Sequence, residues 1–179
     1  MNPSSAAVIA RTPTHHATAA DAVACIQSGH RVFLHGASAT PTVLVEAMVN
    51  QADRLRDVEL IHLHTDGSAA YANPDFVDSF RVANMFFGGN LRSRIDHERV
   101  DYIPVFLSET PHLFRRGVRP IDVALIQVSP PDRHGCVSLG TSVDVALAAV
   151  QTAKTVVAQI TPRMPRVHGD GFLPLSRID

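Results

Sequence analysis

Six short apolar runs, interrupted by glycine, proline or small polar residues and alternating with helical periodicity, constrain this chain more than any other feature. Residues 31–35 (RVFLH) break at Gly36, and residues 58–64 (VELIHLH) end at Thr65, Asp66 and Gly67. Residues 81–87 close on Gly88 and Gly89, and Pro104 puts 100–105 (VDYIPV) at a sheet edge or a strand end. Residues 121–128 (IDVALIQV) form the most continuous run, and 155–160 (TVVAQI) form the last. Helical spacing fills the gaps. One helix starts at Thr18 or Asp21 and stops at Gly29; a second has Thr40 as N-cap and Pro41 in its first turn and runs to about Asn50. A third is capped by Asn90 and runs to about His97, a short one spans 109–116, and a fifth spans 143–153, with Asp144 in its first turn and Lys154 just past its end. Strands apolar on both faces, alternating with helices, predict an α/β fold with a mostly parallel sheet covered by helices on both faces.

Charge and cysteine content narrow the function. Sixteen lysines and arginines against 17 acids give a net charge of −1, so no global field draws in nucleic acid or an anionic membrane. Cys25 and Cys136 stand far apart with no second cysteine nearby, which excludes a CxxC redox or zinc pair and suits a reducing cytoplasm. The apolar run 6–10 is too short for a signal-peptide core or a spanning helix, and residues 1–17 read as a mobile leader ahead of a domain over 18–179.

In such sheets ligands bind beyond the carboxyl ends of strands. The loop Gly36-Ala37-Ser38-Ala39-Thr40-Pro41 leaves backbone N–H groups uncovered at a helix start, where an anion or a developing oxyanion would be favoured. It lacks both the Walker GK[ST] and the GxGxxG pattern, so it is no nucleotide fingerprint; a plain strand-to-helix turn explains it as well. The segment Ser129-Pro130-Pro131-Asp132-Arg133-His134-Gly135-Cys136-Val137-Ser138-Leu139-Gly140 packs ionisable groups between prolines and glycines after a buried strand. It is either a rigid connection in which Asp132 and Arg133 pair in solvent, or a loop in use. His62 and His64 share one face if the strand continues through them, and with Asp66 they form one arm of a metal site that nothing completes. No metal is therefore expected. Arg92 and Arg94 could direct charge toward a phosphate, or could lie on a solvated helix face.

Several of these segments together resemble the N-terminal domain of the acetyl-CoA hydrolase/transferase family, which includes 4-hydroxybutyrate and succinate:acetate CoA-transferases. The resemblance lies in 20–29 (ADAVACIQSG), the loop 36–41, 101–104 (DYIP), 108–111 (SETP), 121–140 (IDVALIQVSPPDRHGCVSLG), Ser142, Asp144, 153–154, 157–159 and 164–170 (MPRVHGD). It implies a CoA-transferase-like domain and exchange of coenzyme A between an acyl thioester and a small carboxylate, or thioester hydrolysis. Coenzyme A is then a substrate, with no permanently bound cofactor. The implied nucleophile is a glutamate, passing through an acyl anhydride and a glutamyl-CoA thioester.

Glu46, Glu59, Glu98 and Glu109 are the only glutamates, and none lies in a segment matching the family's nucleophile motif. The resemblance thus implies a second domain or partner subunit that carries the glutamate, in a homo- or hetero-oligomer. On this side of the site it assigns the loop 36–41 to the acyl group, with N–H groups near Ala37 and Ser38 as oxyanion donors. It assigns Ser129, Pro130, Pro131, Asp132, His134, Gly135, Ser138 and Gly140 to an acyl pocket or a domain interface. The alternatives are a non-catalytic CoA-binding module, an isomerase using Asp132 and His134 as acid and base, and an inactive truncated product.

Overall fold

The computed structural model describes residues 12–94 and 99–179. Residues 1–11 of the expected leader, the end of the helix predicted to reach His97, and Glu98 lie outside the described residues. The strands are β1 (Arg31–Leu34), β2 (Val58–His62), β3 (Phe80–Asn84), β4 (Val100–Tyr102), β5 (Val123–Val128), β6 (Cys136–Ser138), β7 (Thr155–Ile160) and β8 (Phe172–Pro174). Six of them make one fully parallel sheet in the order β4-β3-β2-β1-β5-β7. All six apolar runs therefore become its strands, and β4 is an edge strand that ends before Pro104. From β1 the chain winds outward through β2 and β3 to β4, then returns to place β5 on the other side of β1. The carboxyl ends of β1 and β5 thus form a topological switch point, where successive loops leave in opposite directions and open a crevice.

The helices are α1 (Ala19–Val23), α2 (Thr42–Val49), α3 (Gly89–Arg92), α4 (Thr110–Arg115) and α5 (Ala146–Thr152). One apolar layer joins Val32, Leu60, Val82 and Leu125 of the sheet to Val23, Leu44, Met48 and Leu91 from α1, α2 and α3. The opposite layer joins Phe33, Ile61, Ala124 and Val156 to Phe114 of α4 and to Ala146, Ala149 and Val150 of α5. Both faces of the sheet are covered, as near-continuous apolar strands require.

Local chemistry explains where helices depart from the sequence expectation. Thr18 caps α1 by accepting the Asp21 N–H, but the helix stops well before Gly29. The Arg54 guanidinium donates to the Val23 and Ile26 carbonyls at 3.1 and 2.6 Å, taking acceptors that a continuing helix would use. Thr40 does not cap α2. Its hydroxyl donates to the Ala37 carbonyl and accepts the Asp66 N–H, so Pro41 is the cap residue and Thr40 ties the β1 loop to the β2 loop. Asn90 lies inside α3 behind Gly88, donating to the Thr65 and Gly67 carbonyls at 2.8 and 3.2 Å.

The small antiparallel pair of β6 and β8 falls where the sequence reads as loop. Pro13, His15 and His16 line a groove of about 270 Å³ with Leu44, Val157 and Leu175.

Candidate functional site

The loop 36–41 leaves β1 at the switch point. Ala37 is left-handed (φ 49°), and its N–H donates to the His64 carbonyl at 2.9 Å, in an isolated parallel bridge to Thr65. A Cβ on Gly36 would stand 3.0 Å from that same carbonyl oxygen, which is why the loop can pass β2 so closely. Ala39 and Thr40 spend their N–H groups on the Gly36 and Ala37 carbonyls. Ala37 therefore cannot serve as the expected oxyanion donor, because its proton is already committed. Ser38 is exposed, and its backbone N–H has no partner among the described residues.

His35, the last residue before this loop, is fully buried and bridges three segments. Nδ1 accepts the Gln127 N–H at 3.2 Å, and Nε2 lies 2.6 Å from the Ser142 carbonyl oxygen. A backbone N–H can only donate and a carbonyl can only accept, so the ring is the neutral Nε2–H tautomer. Burial holds its pKa below the ordinary value, against the opposing pull of the Ser142 carbonyl. His35 thus fastens the ends of β1 and β5 to the 140s loop.

The segment 129–140 is rigid for reasons that the sequence pattern conceals. Asp132 Oδ1 accepts the N–H groups of His134 and Cys136, each at 2.9 Å. Its partner cation is Arg166, at 2.8 Å, and not the adjacent Arg133, which donates to His134 Nε2 instead. Arg166 also donates to Ser129 Oγ and to the Pro130 and Cys136 carbonyls, and its guanidinium lies 5.0 Å from the centre of the Phe172 ring. The Cys136 N–H, then the His134 N–H and Arg166, hold the Asp132 carboxyl below the usual carboxylate range. Asp132 is therefore a brace for the loop, committed to structure in a way that does not suit an acid or base. Ser138 is buried and accepts the Gly140 and Val167 N–H groups, while Ser129 Oγ accepts the Ser138 N–H. Gly135 and Gly140 both have positive φ, and Pro131 is exposed ahead of the turn.

His62 and His64 do not form a ligand pair, because β2 ends at His62 and the alternation ends with it. His62 is buried beside Tyr71, whose hydroxyl lies 3.2 Å from His62 Nε2 and 2.7 Å from Thr65 Oγ1. Burial pushes the His62 pKa down to about 4 and that of Tyr71 up to about 12. His64 packs against Phe86 and lines an apolar cavity of about 420 Å³ with Leu63, Met85, Tyr102 and Asp144. Among the described residues no three histidines, cysteines or acids cluster as metal ligands. Arg94 donates to the Ser68 and Ala69 carbonyls, so it ties the end of α3 to the segment after β2.

Of the glutamates, Glu59 sits near the amino end of β2, at the opposite end of the sheet from these loops. It contacts Arg31, pairs with Arg81 at 2.9 Å and lies 3.7 Å from Arg119. Glu46 and Glu109 are exposed.

At the switch point itself, Ser38, Gln127, Thr141, Thr161 and Arg163 line a second cavity, of about 390 Å³, with Met164 and Pro165. Sequence reasoning missed Arg163, Gln127 and Arg166. Their only signal was membership of the segments 121–140 and 164–170, or a position beside them, and the contacts of Gln127 and Arg166 bridge residues more than thirty positions apart.

Residues 10–179 match the acetyl-CoA hydrolase/transferase N-terminal domain family. The chain is 43% identical over 155 residues to a succinyl-CoA:acetate/propanoyl-CoA:succinate CoA transferase of Fasciola hepatica, covering 86% of this chain and 32% of that protein. It is 39% identical over 162 residues to a 4-hydroxybutyrate coenzyme A transferase of Clostridium kluyveri, covering 90% and 38%. Among solved structures it is similar to 4-hydroxybutyrate CoA-transferase from Porphyromonas gingivalis, with a TM-score of 0.73 and 28% identity over 90% of this chain and 37% of that one. RipA from Yersinia pestis matches with a TM-score of 0.83 and 26% identity over 90% and 40%. The chain spans about a third of the length of the curated relatives it matches. With its parallel sheet, its switch-point loops and this match over nearly its whole length, the chain belongs to the acetyl-CoA hydrolase/transferase family through that family's N-terminal domain.

Proposed function

We propose that this chain is the N-terminal part of a CoA-transferase, moving coenzyme A between an acyl thioester and a small carboxylate, with the glutamate nucleophile supplied by a second domain or a partner chain. The observation that carries this reading is the 39–43% identity to two CoA-transferases across most of the chain. The three described glutamates agree with the division of labour: Glu59 is neutralised by arginines far from the switch-point loops, and Glu46 and Glu109 stand exposed.

In this reading the Ser38 N–H points at the thioester oxygen as it becomes an oxyanion. A donor of this kind contributes about 2.7–4 kcal/mol to the transition state. Passage through a glutamyl anhydride and a glutamyl thioester exchanges one activated acyl group for another without hydrolysis. Coenzyme A enters and leaves as a substrate, and the setting is cytoplasmic.

The test is exchange of coenzyme A from acetyl-CoA to succinate. The 179-residue chain alone is expected to give no turnover, and addition of a chain carrying the remaining length of a relative is expected to restore it. Turnover by the lone chain at the rate of the combined system would overturn the proposal.

A further inference from the structure

Inside the layer that α1, α2 and α3 make with the sheet, His62 Nδ1 and both Oδ1 and Nδ2 of Asn84 have no hydrogen-bond partner among the described residues. Both side chains are fully buried. His62 and Asn84 are register partners across the parallel pair of β2 and β3, so the two side chains leave the same face of the sheet next to each other. That face also carries Leu60 and Val82, and Tyr71 and Leu91 pack in the same layer. A buried asparagine in a strand, with neither end of its carboxamide bonded, is costly unless a further group meets it.

The chemistry of that group follows from what each atom needs. The Tyr71 hydroxyl lies 2.7 Å from Thr65 Oγ1 and 3.2 Å from His62 Nε2, and it has a single proton. If Tyr71 donates to His62, Nδ1 carries the ring hydrogen and needs an acceptor; if His62 donates to Tyr71, Nδ1 is a lone pair and needs a donor. Asn84 needs both kinds, since Oδ1 accepts and Nδ2 donates. A cation satisfies only acceptors and an anion only donors, and neither Asn84 nor His62, which burial keeps neutral, has a charge to offset one. Water donates and accepts, so it serves Asn84 and either tautomer of His62.

We infer that His62 and Asn84 form a binding site for an ordered internal water, which bridges the Asn84 carboxamide and His62 Nδ1. The water completes a buried chain of hydrogen bonds that runs from Asn84 through His62 and Tyr71 to Thr65, the residue bridged to Ala37 in the loop after β1. It therefore supports the end of β2 from inside the fold. The inference is independent of the CoA-transferase reading.

The test follows water itself on the labelled 179-residue chain. NMR magnetisation transfer from the water resonance to the Asn84 side-chain amide is expected, with the sign that a long-held water gives. The Tyr71 hydroxyl can relay such a signal by proton exchange, so the measurement is repeated in Tyr71→Phe, where the transfer is expected to persist. Magnetic relaxation dispersion of the water oxygen is blind to exchanging protons. Its amplitude is expected to fall by about one long-lived water in Asn84→Leu, which replaces the carboxamide with an apolar group of similar size. Absence of transfer in Tyr71→Phe, or an oxygen amplitude unchanged by Asn84→Leu, would overturn the inference. Should one of the two variants fail to fold, the measurement on the other decides.

Discussion

The His35 ring lies 2.6 Å from the Ser142 carbonyl oxygen, across more than a hundred residues of chain, and both residues are buried. With the Gln127 N–H on its other nitrogen, this imidazole is the only side chain joining β1, β5 and the 140s loop through both of its polar atoms among the described residues. Replacing it with leucine keeps the volume but leaves a buried carbonyl and a backbone N–H without partners. Each such orphan costs about 1–3 kcal/mol. His35→Leu is expected to lower unfolding stability by about 2–6 kcal/mol in urea titration, and an unchanged midpoint would show that the bridge carries no weight.

A second histidine makes the fold sensitive to acid. His62 has a folded pKa of about 4, below its ordinary 6.5, because burial disfavours the cation. The unfolded chain therefore takes up the proton first. The contribution is fully present above pH 6.5 and is lost as the pH falls toward 4, on the order of 3 kcal/mol over the whole interval. His35 is lowered for the same reason and acts in the same direction. His62→Gln retains a polar partner for Tyr71 but cannot titrate. Its stability-against-pH curve is expected to be flatter than that of the parent between pH 6.5 and 4, whereas parallel curves would assign the acid sensitivity elsewhere.

Arg166 explains why a loop rich in proline and glycine can hold one shape. It reaches Ser129, Pro130, Cys136 and Asp132 at 2.8–3.3 Å and covers the face of Phe172. A lysine offers one compact ammonium group and cannot reproduce the fork or the stacking. Arg166→Lys is expected to speed amide exchange at Cys136 and Ser138 by an order of magnitude or more, while amides of β2 and β3 stay protected. Uniform exchange across the protein would mean that Arg166 supports the whole fold and not this loop.

How much of this was legible in the sequence depended on the range of the interaction. The strands were visible because each run of apolar residues carries its own signal, and sheet parallelism followed from both faces being apolar. The loop 36–41 was legible because glycine, small residues and proline mark the turn locally. Which of its N–H groups stays free was not, since the Ala37 N–H donates to the His64 carbonyl in a contact between two separate strand ends. The early end of α1 has the same cause: residues 24–28 are acceptable in a helix, and it is Arg54, packed from elsewhere, that takes the Val23 and Ile26 carbonyls. The shared face of His62 and His64 was not legible, because it needed the strand to run two residues past the end of β2, and a bend at Leu63 precedes the packing of the second ring on Phe86. Arg163 had no local signature, since an arginine reads as solvated unless its neighbours across the crevice are known.

Gly140 offers the sharpest steric test of the switch-point loops. It has φ 68°, a left-handed conformation in which a Cβ costs about 1–2 kcal/mol. A Cβ built there would also stand 1.9 Å from Met164 Sδ and 2.6 Å from its Cγ, in a side chain only 6% exposed. Met164 also lines the switch-point cavity beside Arg163. Gly140→Ala is therefore expected to destabilise the fold by about 2–4 kcal/mol, the sum of backbone strain and overpacking. Adding Met164→Ala removes the clash and leaves the strain, so the double variant should recover roughly half of the loss if the cavity left by the methionine closes. Thermal or urea unfolding of the four members of this cycle gives the coupling directly. Additive losses would mean that Met164 rotates away at no cost and that Gly140 is required only for its backbone angle.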